Sequence, residues 1–203
     1  MKSDQTNIYP TFDLFNSRKD KEKCLSQKSR CIWMTGLSGS GKTTIAVALQ
    51  RELYKLGFLT QVLDGDNIRS GIGSDLDFSV ESRIENIRRV AEITKLFLNC
   101  GIITINCFVS PTIAIRNIAK DIIGVDDFEE VFINTSFEEC EKRDVKGLYK
   151  KAKLGEIKNF TGLDAPFEKP TGDHINILTE NRTVEDCAKL LLQSILPKIT
   201  YNE

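Results

Sequence analysis

The chain is 203 residues long, with 28 Lys and Arg against 29 Asp and Glu, 40% apolar and 28% charged residues, 13 Gly and 5 Pro. That length suits one compact domain with an ordinary core, and a formal net charge of −1 gives no global pull towards nucleic acid or an anionic membrane. No apolar stretch approaches the roughly 18 to 20 residues of a membrane span, and Met1 to Pro10 lacks the basic-then-apolar order of a secretory signal, so a cytoplasmic protein is expected.

Residues 1–29 are polar and charged, with R-K-D-K-E-K at Arg18 to Lys23, and are expected as a surface arm ahead of one domain over 30–203. Cys31 to Thr35 is a short apolar strand stopped by Gly36. From Lys42 the apolar positions Ile45, Ala46, Leu49, Leu53 and Leu56 keep helical spacing up to Gly57, a C-terminal cap. Thr60 to Leu63 is a second strand ending at Asp64-Gly65-Asp66, and a polar loop leads to Ser79, a helix N-cap. Ile84, Ile87, Ala91, Thr94 and Leu98 mark a long amphipathic helix closed by Cys100-Gly101. Ile102 to Val109 reads as a buried strand, and Ser110-Pro111 as the opening of the next helix, with proline in the first turn. Val131 to Ile133 is a fourth strand, followed by a capping box at Ser136 to Glu139. Ile175 to Leu178 is a fifth, and the last helix spans about Val184 to Leu196. Short apolar strands alternating with helices predict an α/β fold, a five-stranded parallel sheet with helices on both faces. Ligands then belong at the C-terminal edge of the strands.

The six cysteines, at 24, 31, 100, 107, 140 and 187, contain no C-x-x-C pair and are expected as reduced thiols, mostly buried. The single histidine, His174, excludes a histidine-rich zinc site within one chain.

Gly36-Leu37-Ser38-Gly39-Ser40-Gly41-Lys42-Thr43 fits G-x-x-x-x-G-K-[ST] between a strand and a helix, and Thr44 follows it. Glycines there let successive backbone N–H groups point at phosphate oxygens, and the helix N-terminus adds its positive end. Lys42 would reach the β- and γ-phosphates and the Thr43 hydroxyl would ligate magnesium. The fold is therefore expected to be that of a P-loop NTPase binding a nucleoside triphosphate with Mg2+. The small size and the lack of N-K-x-D favour phosphoryl transfer to a small acceptor over motor or guanine-nucleotide function.

Asp64 and Asp66 place two carboxylates at a strand end, suited to holding magnesium and accepting a hydroxyl proton, with the division between them open and a plain D-G-D turn as the alternative. Arg83, Asn86 and Arg89 recur at three-residue steps near a helix start, where arginine forks suit phosphate or sulfate oxygens; the alternative is a solvated face with a Glu85–Arg89 pair. Phe78 would stack on an acceptor base or anchor the loop. Ser110 would cap its helix and also contact ligand. Between Glu141 and Lys158 seven basic residues outnumber three acids, with glycines at 147, 155 and 162, which suits a basic lid over about 143–167.

These segments resemble the adenylylsulfate kinase family. The matching stretches are I-W-M-T-G-L-S-G-S-G-K-T-T at Ile32 to Thr44, D-G-D-N-I-R at Asp64 to Arg69, E-N-I-R-R at Glu85 to Arg89, F-V-S-P at Phe108 to Pro111, and K-G-L-Y-K-K-A-K-L-G-E-I-K-N-F-T-G at Lys146 to Gly162. The phosphate loop is shared by many kinases; the combination is far more specific. The resemblance implies a stand-alone enzyme of sulfate activation that phosphorylates the 3′-hydroxyl of adenylyl sulfate (adenosine 5′-phosphosulfate) with ATP. It implies that Gly36 to Thr44 bind ATP, that Lys42, Asp64, Asp66 and Ser110 are catalytic, and that Thr43 and Asp66 serve Mg2+. Arg69, Phe78, Arg83, Asn86, Lys153 and Phe160 would hold adenylyl sulfate, the last two from the lid. The family describes the serine at 110 as a phosphoserine, although in-line transfer needs only positioning and charge neutralisation. A cytoplasmic homodimer is implied, with a separate ATP sulfurylase as functional neighbour and no nucleic-acid or membrane partner. Three positions depart from the family pattern: Thr43 for Ser, Asp77 for Gly and Ser82 for an acid. An acid at 77 is expected to weaken binding of a doubly anionic acceptor. The competing readings are a kinase of another small alcohol and a silent nucleotide-binding module, the latter disfavoured because Lys42, Asp64 and Asp66 are all present.

Overall fold

The computed structural model of the protein describes residues 9, 11 and 14–202. In chain order the elements are α1 (Arg18–Leu25), β1 (Cys31–Thr35), α2 (Lys42–Lys55), β2 (Thr60–Asp64), α3 (Gly65–Ser70), α4 (Val80–Asn99), β3 (Ile103–Cys107), α5 (Ile113–Ile123), β4 (Phe128–Asn134), α6 (Phe137–Arg143), α7 (Leu148–Lys153), β5 (Ile175–Leu178) and α8 (Val184–Ile199). The five strands form one parallel sheet, as expected, and lie in the order β2-β3-β1-β4-β5.

The central strand explains the two-sided core. All five residues of C-I-W-M-T are buried, and their side chains alternate between faces because the strand period is two. Ile32 and Met34 pack with Leu49 and Leu53 of α2 and Leu191 and Ile195 of α8. Cys31 and Trp33 pack with Val90 and Ala91 of α4 and Ile115 and Ala119 of α5. Helices on both faces thus account for a strand with no polar side.

Four local features depart from the sequence expectation. The polar loop after β2 begins with a short helix, α3, because the Asp64 carboxylate accepts from the backbone N–H of Asp66 at 3.0 Å and caps it. The third strand ends at Cys107 rather than Val109. The cap of α5 is Thr112, whose hydroxyl accepts from Ile115 N, and not Ser110, which sits two residues earlier with φ +35°. Only half of the box at Ser136 forms: its hydroxyl accepts from Glu139 N at 3.3 Å, while the Glu139 carboxylate turns to Arg143 Nε at 3.1 Å.

Of the cysteines, Cys31, Cys107, Cys140 and Cys187 are buried, Cys24 and Cys100 are exposed, and all are free thiols. No helix among the described residues is long and apolar enough to cross a membrane.

The segment expected as a surface arm carries a docked helix. Ser17 caps α1 in a complete capping box with Asp20. Arg18 donates to both Asp127 oxygens at 2.5 and 2.8 Å, to Ser29 Oγ at 2.7 Å and to Glu22 at 2.9 Å. Gln27, fully buried, donates to the carbonyls of Leu59 and Gly101 and accepts from Leu59 N. A polar sequence docks here because its contacts are an ion pair and hydrogen bonds to side chains and loop backbone, which leave no apolar periodicity to read. Ahead of the helix Tyr9, Leu14 and Phe15 are exposed, and residues 1–8, 10, 12 and 13 of the expected arm lie outside the described residues.

Arg18→Ala leaves Asp127 without its main partner and removes two hydrogen bonds to Ser29, and is expected to lower stability by roughly 1 to 3 kcal/mol, read as a lower urea midpoint at unchanged slope.

Candidate active site

Because every strand runs the same way, Thr35, Asp64, Cys107, Asn134 and Leu178 end on one edge of the sheet. The phosphate loop leaves β1 there. Gly36 has φ +151°, and a Cβ at that position would stand 2.7 Å from the Ile133 carbonyl oxygen, so only glycine lets the chain pass β4. Five of the loop's carbonyls are taken up by donors of the protein. Lys42 Nζ donates to Gly36 O and Leu37 O, both at 2.8 Å; Tyr149 Oη donates to Ser38 O at 2.8 Å. Thr135 Oγ1 donates to Ser40 O at 2.9 Å, and Ile45 N to Gly41 O at 2.9 Å. Gly39 and Gly41 adopt φ of +72° and +105° on the way into α2.

Burial of the Lys42 ammonium beneath this loop pulls its pKa down from 10.5 to about 8, with Asp64 among the groups opposing the shift. The Thr43 hydroxyl donates to Asp64 Oδ2 at 2.7 Å. Asp64 therefore stands beside the hydroxyl expected to serve magnesium, while Asp66, expected as the metal carboxylate, pairs with Lys146 from the lid.

Ser110 is only 3% exposed. Its hydroxyl accepts from Trp33 Nε1 at 3.1 Å and lies 3.2 Å from Thr35 Oγ1, and its carbonyl accepts from Arg116 Nη1 at 2.9 Å. Arg116 is itself buried and paired with Glu130 at 2.5 Å. The serine therefore joins β1, the β3 exit and α5. The distance that separates it from the helix start removes the capping role expected of it.

Arg69, Phe78, Arg83 and Asn86 gather on the opposite side of the edge. The Arg69 guanidinium lies over the Phe78 ring, 4.4 Å from its centroid, and donates to Asp77 O at 2.8 Å and Leu76 O at 3.2 Å. Phe78 is 63% exposed, so its ring has an open face. Arg83 donates to Phe78 O at 2.9 Å, Thr161 Oγ1 at 2.9 Å and Asn159 O at 2.7 Å. Asn86 is buried with its Oδ1 unpartnered beside Gly73. Arg89 is not free for a ligand: it holds both Asp75 oxygens, at 2.6 and 2.8 Å, and Glu85 at 2.9 Å.

Asp77 is committed to the backbone. Its Oδ1 accepts from Ser79 N at 2.9 Å and Ser79 Oγ at 2.6 Å, and these bonds, the hydroxyl's first, hold its pKa down at about 2. Asp77 thus fixes the turn leading into α4.

In the lid, α7 lies between α6 and the Asn159–Ala165 turn. Its basic surface covers a small apolar cluster of Cys140, Tyr149, Ala152 and Phe160, against which Leu37 and Phe137 pack. Phe160 is buried edge-on against Tyr149, with centroids 4.9 Å apart. Lys153 is turned away and pairs with Glu141 of α6. Trp33 and Tyr149 contact expected site residues and escaped the reading of residue types, since an indole in an apolar strand looks like ordinary core and a phenol among lysines carries no signal of its own, whereas Lys146 is one of the seven basic residues of the expected lid. Only the G-L-Y-K-K-A motif marked Tyr149 at all.

A sequence model of the adenylylsulphate kinase family matches residues 28–178. The chain is 58% identical over 196 residues to an adenylyl-sulfate kinase of Bacteroides thetaiotaomicron, covering 97% of this chain and 98% of the relative. It is 56% identical over 194 residues to one of Phocaeicola vulgatus, covering 96% and 95%. Among solved structures it resembles the Mycobacterium tuberculosis APS kinase in complex with AMPPNP and APS, with a TM-score of 0.80, 39% identity, and coverage of 83% of this chain and 98% of that one.

Ser110→Ala strands the buried Trp33 N–H and is expected to lower stability by about 1 to 3 kcal/mol while turnover stays measurable. Urea unfolding and a turnover assay on the same preparation check this; abolished turnover at unchanged stability would instead give the hydroxyl a chemical step.

Proposed function

The chain belongs to the adenylylsulphate kinase family, and we infer that it is the enzyme of sulfate activation that transfers the γ-phosphoryl group of ATP to the 3′-hydroxyl of adenylyl sulfate, giving 3′-phosphoadenylyl sulfate and ADP. The observation that carries the site assignment is the meeting, at one sheet edge, of the phosphate loop and Lys42 with the Asp64–Asp66 pair and the Arg69–Phe78–Arg83 group.

In the proposed mechanism the N–H face of Gly36 to Thr44 cradles the triphosphate. Lys42 exchanges the carbonyls of Gly36 and Leu37 for phosphate oxygens, a stronger charge-assisted pairing. Phe78 and Phe160 contact the acceptor's adenine, Arg69, Arg83 and Asn86 hold its polar and anionic groups, and Lys153 joins them by exchanging Glu141 for the ligand. Asp64 and Asp66 divide between them the magnesium and the proton leaving the 3′-hydroxyl. The transfer is in line, oxygen to phosphorus to oxygen, with the electron pair of the broken bond going to ADP. Ser110 contributes position, through Trp33 and Thr35, with no covalent step.

The hydroxyl of Thr43 bonded to Asp64, with Asp66 two residues on, is an all-oxygen donor set of the kind magnesium takes when phosphates and waters complete its shell. When bound, the ion would neutralise charge on the transferring phosphates. The proposal extends to a cytoplasmic homodimer with a separate ATP sulfurylase as the source of acceptor.

The direct test incubates the protein with Mg-ATP and adenylyl sulfate and follows ADP and 3′-phosphoadenylyl sulfate by ion-pair chromatography. Equal amounts of both are expected; a folded, ATP-binding protein that makes neither would refute the acceptor. Lys42 supplies an independent check. Bound phosphates favour the charged ammonium, so above about pH 8 ATP binding takes up a proton and its affinity falls as pH rises towards the ordinary lysine value. Calorimetry at that pH in two buffers of different ionisation enthalpy measures the uptake, which Lys42→Ala is expected to lose.

A further inference from the structure

Asp164 has no part in the chemistry described above, yet it organises the turn on which the acceptor arginine rests. Its Oδ2 accepts from the backbone N–H of Asn159 at 2.7 Å, and its Oδ1 accepts from that of Phe160. The Phe160 carbonyl in turn accepts from the N–H groups of Leu163, Asp164 and Ala165 at 3.0, 3.2 and 3.2 Å, and Gly162 N donates to Ala165 O at 2.7 Å. Asn159 is held at φ +57°, a left-handed conformation that a non-glycine residue adopts only when its surroundings compensate.

What this turn presents decides the geometry on both sides. Outwards, the Asn159 carbonyl and the Thr161 hydroxyl are the two oxygens that accept from the Arg83 Nη atoms, at 2.7 and 2.9 Å. Inwards, the Phe160 ring packs on Tyr149, whose hydroxyl holds Ser38 O. Gly162, at φ +94°, lies so close to Leu37 that a Cβ would meet its Cδ2 at 2.9 Å. Asp164 makes no hydrogen bond to Arg83 itself.

We propose that Asp164 is a positioning residue for the acceptor: by tying the N–H groups of Asn159 and Phe160 it sets the orientation of the Arg83 guanidinium and of the Phe160 ring, and keeps both in register with the phosphate loop. The proposal rests on the assignment of Arg83 to adenylyl sulfate made above. Burial lowers the Arg83 pKa and the Asp164 charge opposes that shift, consistent with the carboxylate lying within the guanidinium's field.

The test is a double-mutant cycle in the full-length enzyme, with saturation curves for adenylyl sulfate and for ATP on the wild type, Asp164→Ala, Arg83→Ala and the double variant. Asp164→Ala is expected to raise half-saturating adenylyl sulfate about tenfold and to change that for ATP by less than about twofold, since the loop's carbonyls keep their other donors. In the Arg83→Ala background the same substitution should add only about threefold, because one of the two groups it misplaces is gone and only the share of the Phe160 ring remains. Asp164→Asn retains one accepting oxygen and should fall between wild type and alanine; it carries the cycle if the alanine variant does not fold. An equal rise in both backgrounds, or a rise in the ATP requirement in place of the acceptor's, would overturn the positioning role and leave the Arg83 assignment standing. An acceptor dependence unchanged by Arg83→Ala would remove that assignment and the proposal together.

Discussion

A loop that is to bind anions with its backbone N–H groups must dispose of its carbonyls elsewhere. In this protein that constraint reaches into nearly every element around the site. Lys42 from α2, Tyr149 from α7, Thr135 beyond β4 and the first turn of α2 each take one or more of the carbonyls between Gly36 and Gly41. An unpaired buried carbonyl would be expensive, and one turned into the mouth would repel phosphate. The approach of Gly36 to the Ile133 carbonyl is the other half of the arrangement, since it fixes where the loop leaves the sheet.

The lid follows from the same requirement. Its composition is basic, but it stays on the loop through a small apolar cluster in which Tyr149 and Phe160 meet, with Leu37 of the loop packed against it. The charged residues then work from a surface whose position is already settled: Lys146 faces Asp66, and Lys153 pairs with Glu141. Around Arg69, Phe78 and Arg83, Asp77 and Asp164 are used alike, each as a carboxylate that gathers backbone or hydroxyl donors and so sets a turn. The acid at 77, expected to oppose an anionic acceptor, engages Ser79 beside the exposed Phe78 ring and keeps its charge there.

Most of the strands and long helices were legible because both of their periods are written in apolar residues: C-I-W-M-T as a run buried on both faces, and Ile87, Ala91, Thr94 and Leu98 as one helical stripe. The phosphate loop was legible because a glycine pattern between strand and helix has a single mechanical use. Less visible were features decided by which of several competent groups wins a local hydrogen bond. Ser110 and Thr112 are both able to cap a helix, and the chain uses Thr112 because Ser110 is drawn to Trp33, seventy-seven residues earlier in sequence. The polar stretch before β1 offered no apolar stripe, so its docking through Arg18 and Gln27 could not be anticipated from pattern.

The sequence by itself determined the parallel α/β architecture, the nucleotide loop, and the residue types gathered for phosphoryl transfer to an anionic nucleotide, because each depends on local spacing and on chemistry carried by single residues. The tertiary structure alone decided the partners: Thr43 with Asp64, Asp66 with Lys146, Arg83 with the Asn159–Ala165 turn, and Ser110 with Trp33. Each of those contacts joins residues twenty-one or more positions apart, and their pairing is set by the order in which five strands lie side by side, which no local pattern encodes.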